Sequence, residues 1–147
     1  MSDSLLTITE AVQQLSAGEA TSRQLVESCL ACAADDVGEG ARVYLTTYAD
    51  RARAEADHSD QMRAKGWAVP TFAGVPISIK DLFDVADEVT RAGSKVFDAN
   101  QPATDDAPAI QRLRAAGFII LGKTNMTEFA YSGLGMNTHF WHSLEPL

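Results

Sequence analysis

The sequence predicts an α/β fold, because strand-like and helical segments alternate along its 147 residues. The alternating apolar residues of "GVPISIK" at 74–80 indicate a strand with one buried face. The uniformly apolar "FIIL" at 118–121 fits a strand buried on both faces, as in parallel sheets. Capping signals and charged stretches between and before these strands predict the helices.

Composition sets the broad class of the protein. With 46% hydrophobic and 22% charged residues, the chain has the make-up of one soluble globular domain. A net charge of -8, without a basic run, excludes a nucleic-acid-binding surface. The N-terminus lacks a secretory leader pattern and no stretch approaches the roughly 18 apolar residues of a membrane helix, so we expect a cytoplasmic protein with no membrane partner.

The first two helices are predicted by repeated capping boxes. Thr7 is followed three residues later by Glu10, and Thr21 is followed in the same way by Gln24, so helices are expected to begin near positions 8 and 22. Gly18 is expected to end the first helix.

The second helix contains both cysteines of the chain. A buried face is predicted from the helical spacing of Leu25, Val26, Cys29, Cys32 and Ala33. The Cys-x-x-Cys spacing suits a redox pair or half of a zinc site. Because the pair lies inside a helix and has no second pair, small core-facing residues are the favoured interpretation.

A strand and a third helix follow. The segment "ARVYLTTYA" at 41–49 is predicted as a strand, and "DRARAEADHSDQMRAKG" at 50–66 as a charged outer helix that Gly66 ends. His58 lies in this helix and is expected to be solvated.

The strand after residue 74 carries the candidate chemistry. Period-two alternation places Val75, Ile77 and Ile79 on one face, and Pro76, Ser78 and Lys80 on the other. A lysine at this position is ordinarily the solvated end of a strand. Ser78 and Lys80 share a face, which raises the alternative of a Ser-Lys dyad, but a mid-strand hydroxyl without a nearby oxyanion hole disfavours it.

Residues 87–104 are predicted as a loop long enough for a functional or lid role.

The segment "DDAPAIQRLRAAG" at 105–117 is predicted as a helix with Pro108 in its first turn and Gly117 at its end. Asp105 and Asp106 would suit paired catalytic acids, although helix capping explains them more simply.

The C-terminal part begins as a short helix and continues as glycine-containing loop. Residues 132–135, "SGLG", would suit a small amide nest for an oxyanion, but a turn is the favoured interpretation. His139 and His142 have a spacing that suits a metal on a helix, and the absence of a third nearby ligand disfavours this.

The ordered motifs "FAGVPISIKDLFDV", "TRAGSKVF", "TDDAPAIQRLRAAGFIILGKTNMTEFA" and "GLGMN" resemble the N-terminal third of the amidase signature family, serine hydrolases of carboxylic amides. The resemblance implies that residues 1–147 are the N-terminal segment of an amidase domain, part of a mixed twisted sheet flanked by helices and incomplete relative to the family. Residues 1–66 are then a helical lead-in with one strand, 67–137 the motif-bearing α/β part, and 138–147 a divergent tail.

The resemblance also implies a role for Lys80, as the general base of a Ser-Ser-Lys triad of which this chain holds only the lysine. A lysine in water has a pKa of about 10.4, and burial lowers this pKa. We therefore expect Lys80 to be buried at the end of the strand. The family uses no metal or organic cofactor. The implied partner is a small-molecule amide, while the particular amide and the oligomeric state are not indicated.

Three functions remain open at this point. The resemblance favours an amidohydrolase that converts a carboxylic amide to an acid and ammonia or an amine. An inactive truncated fragment or interaction module is the second, since the tail "THFWHSLEPL" departs from the family pattern as in a truncated, frameshifted or excerpted product. The third is the A-type subunit of a tRNA-dependent amidotransferase, although "YSGLGMN" at 131–137 is nearer to stand-alone amidases.

Overall fold

A computed structural model describes residues 6–35 and 40–140 of the chain. The fold is α/β, as predicted, with helices and strands alternating along the sequence. The helices are α1 (Ile8–Ala17), α2 (Ser22–Ala33), α3 (Gly40–Val43), α4 (Ala49–Ala64) and α5 (Pro108–Ala115), the strands are β1 (Tyr44–Thr47), β2 (Pro76–Lys80) and β3 (Ile119–Thr124), and short 3-10 helices span Lys95–Phe97 and Glu128–Ala130.

The three strands form one mixed sheet in the order β1-β3-β2. β1 and β3 are antiparallel, with Tyr44 opposite Thr124. β2 and β3 are parallel, because Ile119 N donates to Val75 O at one end and Asp81 N donates to Thr124 O at the other. β3 is buried along all but its last residue, which confirms the prediction of a strand buried on both faces.

The chain forms two compact units. The first unit contains residues 6–31, 48–77 and 113–121, and the second unit contains residues 32–35, 40–47, 78–112 and 122–140. The core of the first unit gathers apolar side chains from α1, α2 and the starts of β2 and β3. They are Ala11, Leu15 and Val75, with Val12, Leu25 and Phe118 packed against them.

The predicted helix boundaries are confirmed. Glu10 N donates to Thr7 Oγ1, and Thr7 N donates to Glu10 Oε2, so the first capping box is complete. Thr21 and Gln24 make the same reciprocal pair at the start of α2. Gly18 ends α1 with a φ of 72°, a left-handed conformation that favours glycine.

Two predictions about elements are wrong in part. The strand expected at 41–49 begins only at Tyr44, because Gly40–Val43 forms a helical turn. In α2 the buried positions are Ser22, Val26 and Leu30, whereas Cys32 is exposed. Successive steps of four residues keep one face of a helix toward the core, and Cys32, two residues beyond Leu30, points away from that face.

Among the residues that the structure describes, no helix is both long enough and apolar enough to cross a membrane. The longest of these helices is α4, with 16 residues and a strongly charged surface.

Candidate active site

Lys80 lies at the end of β2, where the strand alternates between buried and exposed side chains. Val75 and Ile79 are only 3% and 5% exposed, whereas Ser78 and Lys80 are exposed. The predicted direction of Lys80, away from the apolar face, is therefore confirmed. The expectation that this strand buries Lys80 is wrong for the described residues, since strand alternation turns the lysine away from the core that Ile79 enters.

The backbone next to Lys80 is held by its neighbour, Asp81. Asp81 is 1% exposed. Its N–H donates to Thr124 O over 3.2 Å, and its carbonyl accepts from Ala92 N over 2.9 Å. Its carboxylate Oδ2 accepts from Gly93 N over 3.3 Å. Main chain and side chain of Asp81 are thus both anchored, which fixes the point from which Lys80 projects.

A second lysine, Lys123, forms a buried ion pair with this aspartate. Lys123 is 2% exposed, and its Nζ lies 3.6 Å from Asp81 Oδ1. The ammonium group also donates to Val89 O over 3.3 Å and to Thr90 Oγ1 over 3.2 Å. These additional hydrogen bonds compensate for the desolvation that a buried charge pair costs. Sequence reasoning missed this pair, although a lysine two residues after the all-apolar "FIIL" was a signal that it needed a buried partner.

The loop predicted at 87–104 is tied down at its middle by Gly93. Ala92 and Gly93 both have positive φ, 51° and 68°. Asn137 is 4% exposed and its Nδ2 donates to Gly93 O over 2.6 Å and to Met126 O over 2.7 Å. A Cβ at Gly93 would lie 2.8 Å from both Asn137 Nδ2 and Met126 O, so only glycine fits this contact.

Ser94, Glu128 and His139 form a polar cluster in the second unit. The Ser94 hydroxyl is buried and donates to Glu128 Oε1 over 2.5 Å, and His139 Nε2 lies 2.9 Å from the same oxygen. The Ser94 hydrogen bond, together with His139, holds the pKa of Glu128 below its usual value. Because the serine proton is directed to a carboxylate and not to the imidazole, this order of contacts does not activate Ser94 as a nucleophile.

The weaker candidates of the sequence are spread over the chain. His58 is exposed, as predicted. Cys29 is half-buried and Cys32 exposed within α2, and the two form no disulfide. Hence the interpretation of both cysteines as core-facing is wrong for Cys32. Asp106 Oδ1 accepts from Ala86 N over 2.9 Å and ties the loop to the start of α5.

The remaining candidates lie near the C-terminal end of the described residues. Residues 132–135 form a turn in which Leu134 N donates to Ser132 Oγ over 3.2 Å, as the favoured interpretation predicted. His142 lies outside the described residues. Within residues 6–35 and 40–140, no cluster of three or more His, Cys, Asp or Glu side chains is arranged to hold a metal ion.

Comparison with known proteins places the chain in a family. Residues 24–147 match the amidase family, and the chain belongs to that family, the amidase signature family. The chain is 39% identical over 137 residues to the AtzE subunit of 1-carboxybiuret hydrolase from Pseudomonas sp. (strain ADP), covering 93% of this chain and 30% of the relative. It is 36% identical over 141 residues to the A-type subunit of glutamyl-tRNA(Gln) amidotransferase from Synechococcus sp. (strain WH7803), covering 96% and 28%.

A solved structure agrees with these sequence relatives. The inhibitor-bound form of a vestigial protein complex, which reveals the evolutionary origins of an s-triazine catabolic enzyme, superposes with a TM-score of 0.84 and 38% identity, covering 92% of this chain and 29% of that one. The chain therefore spans about 30% of the length of the relatives that it matches.

Proposed function

We propose that this chain is the N-terminal part of an amidohydrolase, with Lys80 as the general base of a Ser-Ser-Lys triad whose serines belong to a longer protein. One observation carries the proposal. In a chain of the amidase family, Lys80 projects from the end of β2 on the face opposite the core, and buried hydrogen bonds of Asp81 fix its backbone.

The proposed mechanism uses Lys80 as a neutral amine. The amine accepts a proton from a bridging serine, which takes the proton of the nucleophilic serine as that oxygen attacks the amide carbon. Backbone N–H groups stabilise the oxyanion, the C–N bond breaks, and the relayed proton leaves with ammonia or the amine. Water then hydrolyses the acyl-enzyme to the acid. A neutral lysine needs a desolvated site, so the proposal requires the rest of the longer protein to cover Lys80.

The test uses the product of the gene with its coding sequence read beyond Leu147. We expect the longer protein to carry two glycine- and serine-rich segments and to release ammonia from a primary amide. Lys80→Ala and Lys80→Arg should each lose at least about a hundredfold in kcat, since a guanidinium does not give up its proton near neutral pH. Lys95→Ala, at an exposed lysine in the second unit, is the matched control and should keep full activity. Near-normal turnover by the Lys80→Arg protein would refute the role of Lys80.

The 147-residue chain by itself provides a second test of the same proposal. Because it holds the lysine and neither triad serine, we expect it to release no ammonia above the buffer rate. Turnover that survives purification and disappears in the Lys80→Ala chain would show that the chain supplies its own nucleophile. An inactive longer protein would instead favour the fragment or interaction module.

Similarity to the Synechococcus protein favours a second candidate, the A-type subunit of an amidotransferase that uses glutamyl-tRNA(Gln). Both curated relatives are named as subunits, which favours assembly with other chains. Co-purification of the longer protein with products of neighbouring genes, and amide transfer that depends on them, would support this candidate. Amide hydrolysis by the longer protein alone supports the amidohydrolase.

A further inference from the structure

We infer that a cavity of about 500 Å³ in the first unit binds a small monocarboxylic acid with an apolar, preferably aromatic, body. The cavity lies against α4, and its wall is completed by the segments around Pro70 and Phe118. All of its lining residues belong to the first unit, and Lys80 is not among them. The inference therefore goes beyond the proposed hydrolysis. Volumes of about 300–1,000 Å³ are typical of sites for small organic ligands.

The apolar wall of the cavity is flat and fixed. The Phe118 ring stacks on Phe72, with ring centroids 4.6 Å apart and planes inclined by 12°. Val69 and Pro70 extend this surface, and Met62 contributes a flexible side chain from α4. A planar aromatic body gains offset stacking and apolar burial against such a wall.

The polar side of the cavity is lined by Arg51, Glu55, His58 and Arg114. Glu55 Oε1 accepts from Arg51 Nε over 2.9 Å and from Arg114 Nη1 over 3.4 Å, so two guanidinium groups share one carboxylate within the lining. The Arg51 side chain is 53% exposed, which leaves it accessible to a ligand beside Glu55. Guanidinium groups bind carboxylates through paired, charge-assisted hydrogen bonds, which favours an anionic ligand.

Ser59 is a second polar residue of the lining. It is 8% exposed, it lines the cavity, and its Oγ has no hydrogen-bond partner among the described residues. Buried hydroxyls are nearly always hydrogen-bonded, so the unpaired Ser59 Oγ is a polar group of the lining without its usual partner. Gly74 packs closely against this hydroxyl, because a Cβ there would lie 2.8 Å from Ser59 Oγ and 2.7 Å from Ser22 Oγ.

Charge and size select the ligand class. A dianion would place its second charge against Glu55, and a neutral ligand would leave the arginine edge without a partner. A single carboxylate pairs with the exposed Arg51 side chain, with its apolar body on the Phe118 wall. 3-Phenylpropionate has this composition and serves as the probe. 3-Phenylpropan-1-ol is its neutral counterpart of nearly the same shape.

The experiment titrates the 147-residue chain with both probes, followed by saturation-transfer NMR of the ligand. We expect a dissociation constant below about 1 mM for 3-phenylpropionate, in line with its roughly ten heavy atoms, and binding at least about tenfold weaker for the alcohol. Arg51→Gln should weaken carboxylate binding about tenfold, and Arg51→Lys should weaken it less. Arg53→Gln is the matched control, since Arg53 lies on the same helix, pairs with Glu27 and does not line the cavity.

A cavity-filling variant and a folding readout complete the test. Ala54→Trp places an indole in the cavity from the exposed side of α4 and should abolish binding. In thermal melts, about 10 mM 3-phenylpropionate should raise the folded fraction of the wild-type chain and leave that of the Ala54→Trp chain unchanged. This measurement suits a chain of low stability, because ligand binding shifts the folding equilibrium toward the folded state. The inference would be overturned if the wild-type chain bound the acid and the alcohol equally well. It would also be overturned if the Arg51→Gln and Arg53→Gln chains bound the acid with equal affinity. A dissociation constant above about 10 mM for the wild-type chain would overturn it as well.

Discussion

Lys80 and Lys123 show how one strand pair places two lysines in opposite environments. Lys80 ends β2 and is exposed, whereas Lys123 lies within β3 and is 2% exposed. Asp81 connects them, since it is bonded to Lys80 along the chain and its Oδ1 lies 3.6 Å from the Lys123 ammonium. The buried lysine thus contributes to structure, and through Asp81 it holds the backbone from which the proposed catalytic lysine projects.

Removing the buried lysine should destabilise the chain strongly. Lys123→Ala leaves the buried Asp81 carboxylate without its cation, and Val89 O and Thr90 Oγ1 without their donor, which costs about 3–5 kcal/mol for pairs of this kind. Urea unfolding followed by circular dichroism measures the change. Lys95→Ala at an exposed position is the control and should stay within about 0.5 kcal/mol of the wild-type chain. Equal unfolding midpoints for the two variants would contradict this account.

Sequence reasoning at the residue scale succeeded where the information was local. The opposite directions of Ile79 and Lys80 follow from the two-residue period of a strand and were predicted. The contact of Asp81 with Lys123 joins residues 42 positions apart and depends on β3 pairing with β2, which no local pattern encodes. Lys80 was expected to be buried because burial lowers the pKa of a lysine that acts as a general base. The described residues do not supply that burial.

At the scale of elements, α1 and α2 each begin with a side chain that binds the helix end. Thr7→Ala and Thr21→Ala should each cost about 1 kcal/mol of folding free energy, because each leaves an N-terminal amide without its acceptor. Thr9→Ala, in the first turn on the exposed side of α1, removes the same hydroxyl without a capping role and should be neutral or slightly stabilising. Thermal melts of the three variants compare these effects. A loss in Thr9→Ala equal to that in Thr7→Ala would refute the capping argument.

The contact between α2 and α4 should depend on acid through Glu27. Hydrogen bonds from Arg53 and Arg23 lower the pKa of Glu27 to about 2. A carboxyl group whose pKa is depressed in the folded state stabilises the protein above its unfolded value of 4.5, and this contribution is lost as the pH falls from 4.5 toward 2. Glu27→Gln should therefore lower the melting temperature at pH 6, and the difference from wild type should shrink toward pH 3.

The size of this effect is limited by solvent, since the Glu27 and Arg53 side chains are 41% and 36% exposed. Glu19→Gln, at an exposed carboxyl just after α1, serves as the control and should lower the melting temperature at pH 6 less than Glu27→Gln does. A Glu27→Gln difference that stays constant from pH 6 to pH 3 would show that Glu27 acts through packing instead of charge.

The element boundaries were predicted best where a single residue fixes them. Thr7, Thr21, Gly18 and Gly66 have conformations or hydrogen bonds that few other residues provide, so the helices begin and end as expected. The start of β1 was wrong because "ARV" is acceptable in a helical turn as well as in a strand, and the choice between them is made by pairing with β3 from Tyr44 onward.

At the scale of the whole molecule, the described residues leave strand edges and apolar side chains exposed. β1 and β2 are the edges of the three-stranded sheet in the described residues. In the second unit, Tyr131, Leu134 and Met136 are 90%, 75% and 57% exposed. Relatives about three times as long share this part of the fold, with a TM-score of 0.84. Open strand edges and clustered apolar side chains promote association between chains.

The 147-residue chain should therefore have low stability and associate as its concentration rises. Light scattering after size-exclusion chromatography measures this between about 5 and 200 μM, the range in which exposed apolar surface drives aggregation. Leu134→Glu should reduce the associated fraction, because it places a charge where a 75% exposed leucine stood. Gln101→Glu changes the net charge by the same amount at an exposed polar position. It therefore distinguishes the loss of apolar surface from charge repulsion between chains, and it should reduce association less than Leu134→Glu does. A monomer at every concentration, with a sharp cooperative melt, would show that the two units satisfy their own apolar surface and need no further segment to fold.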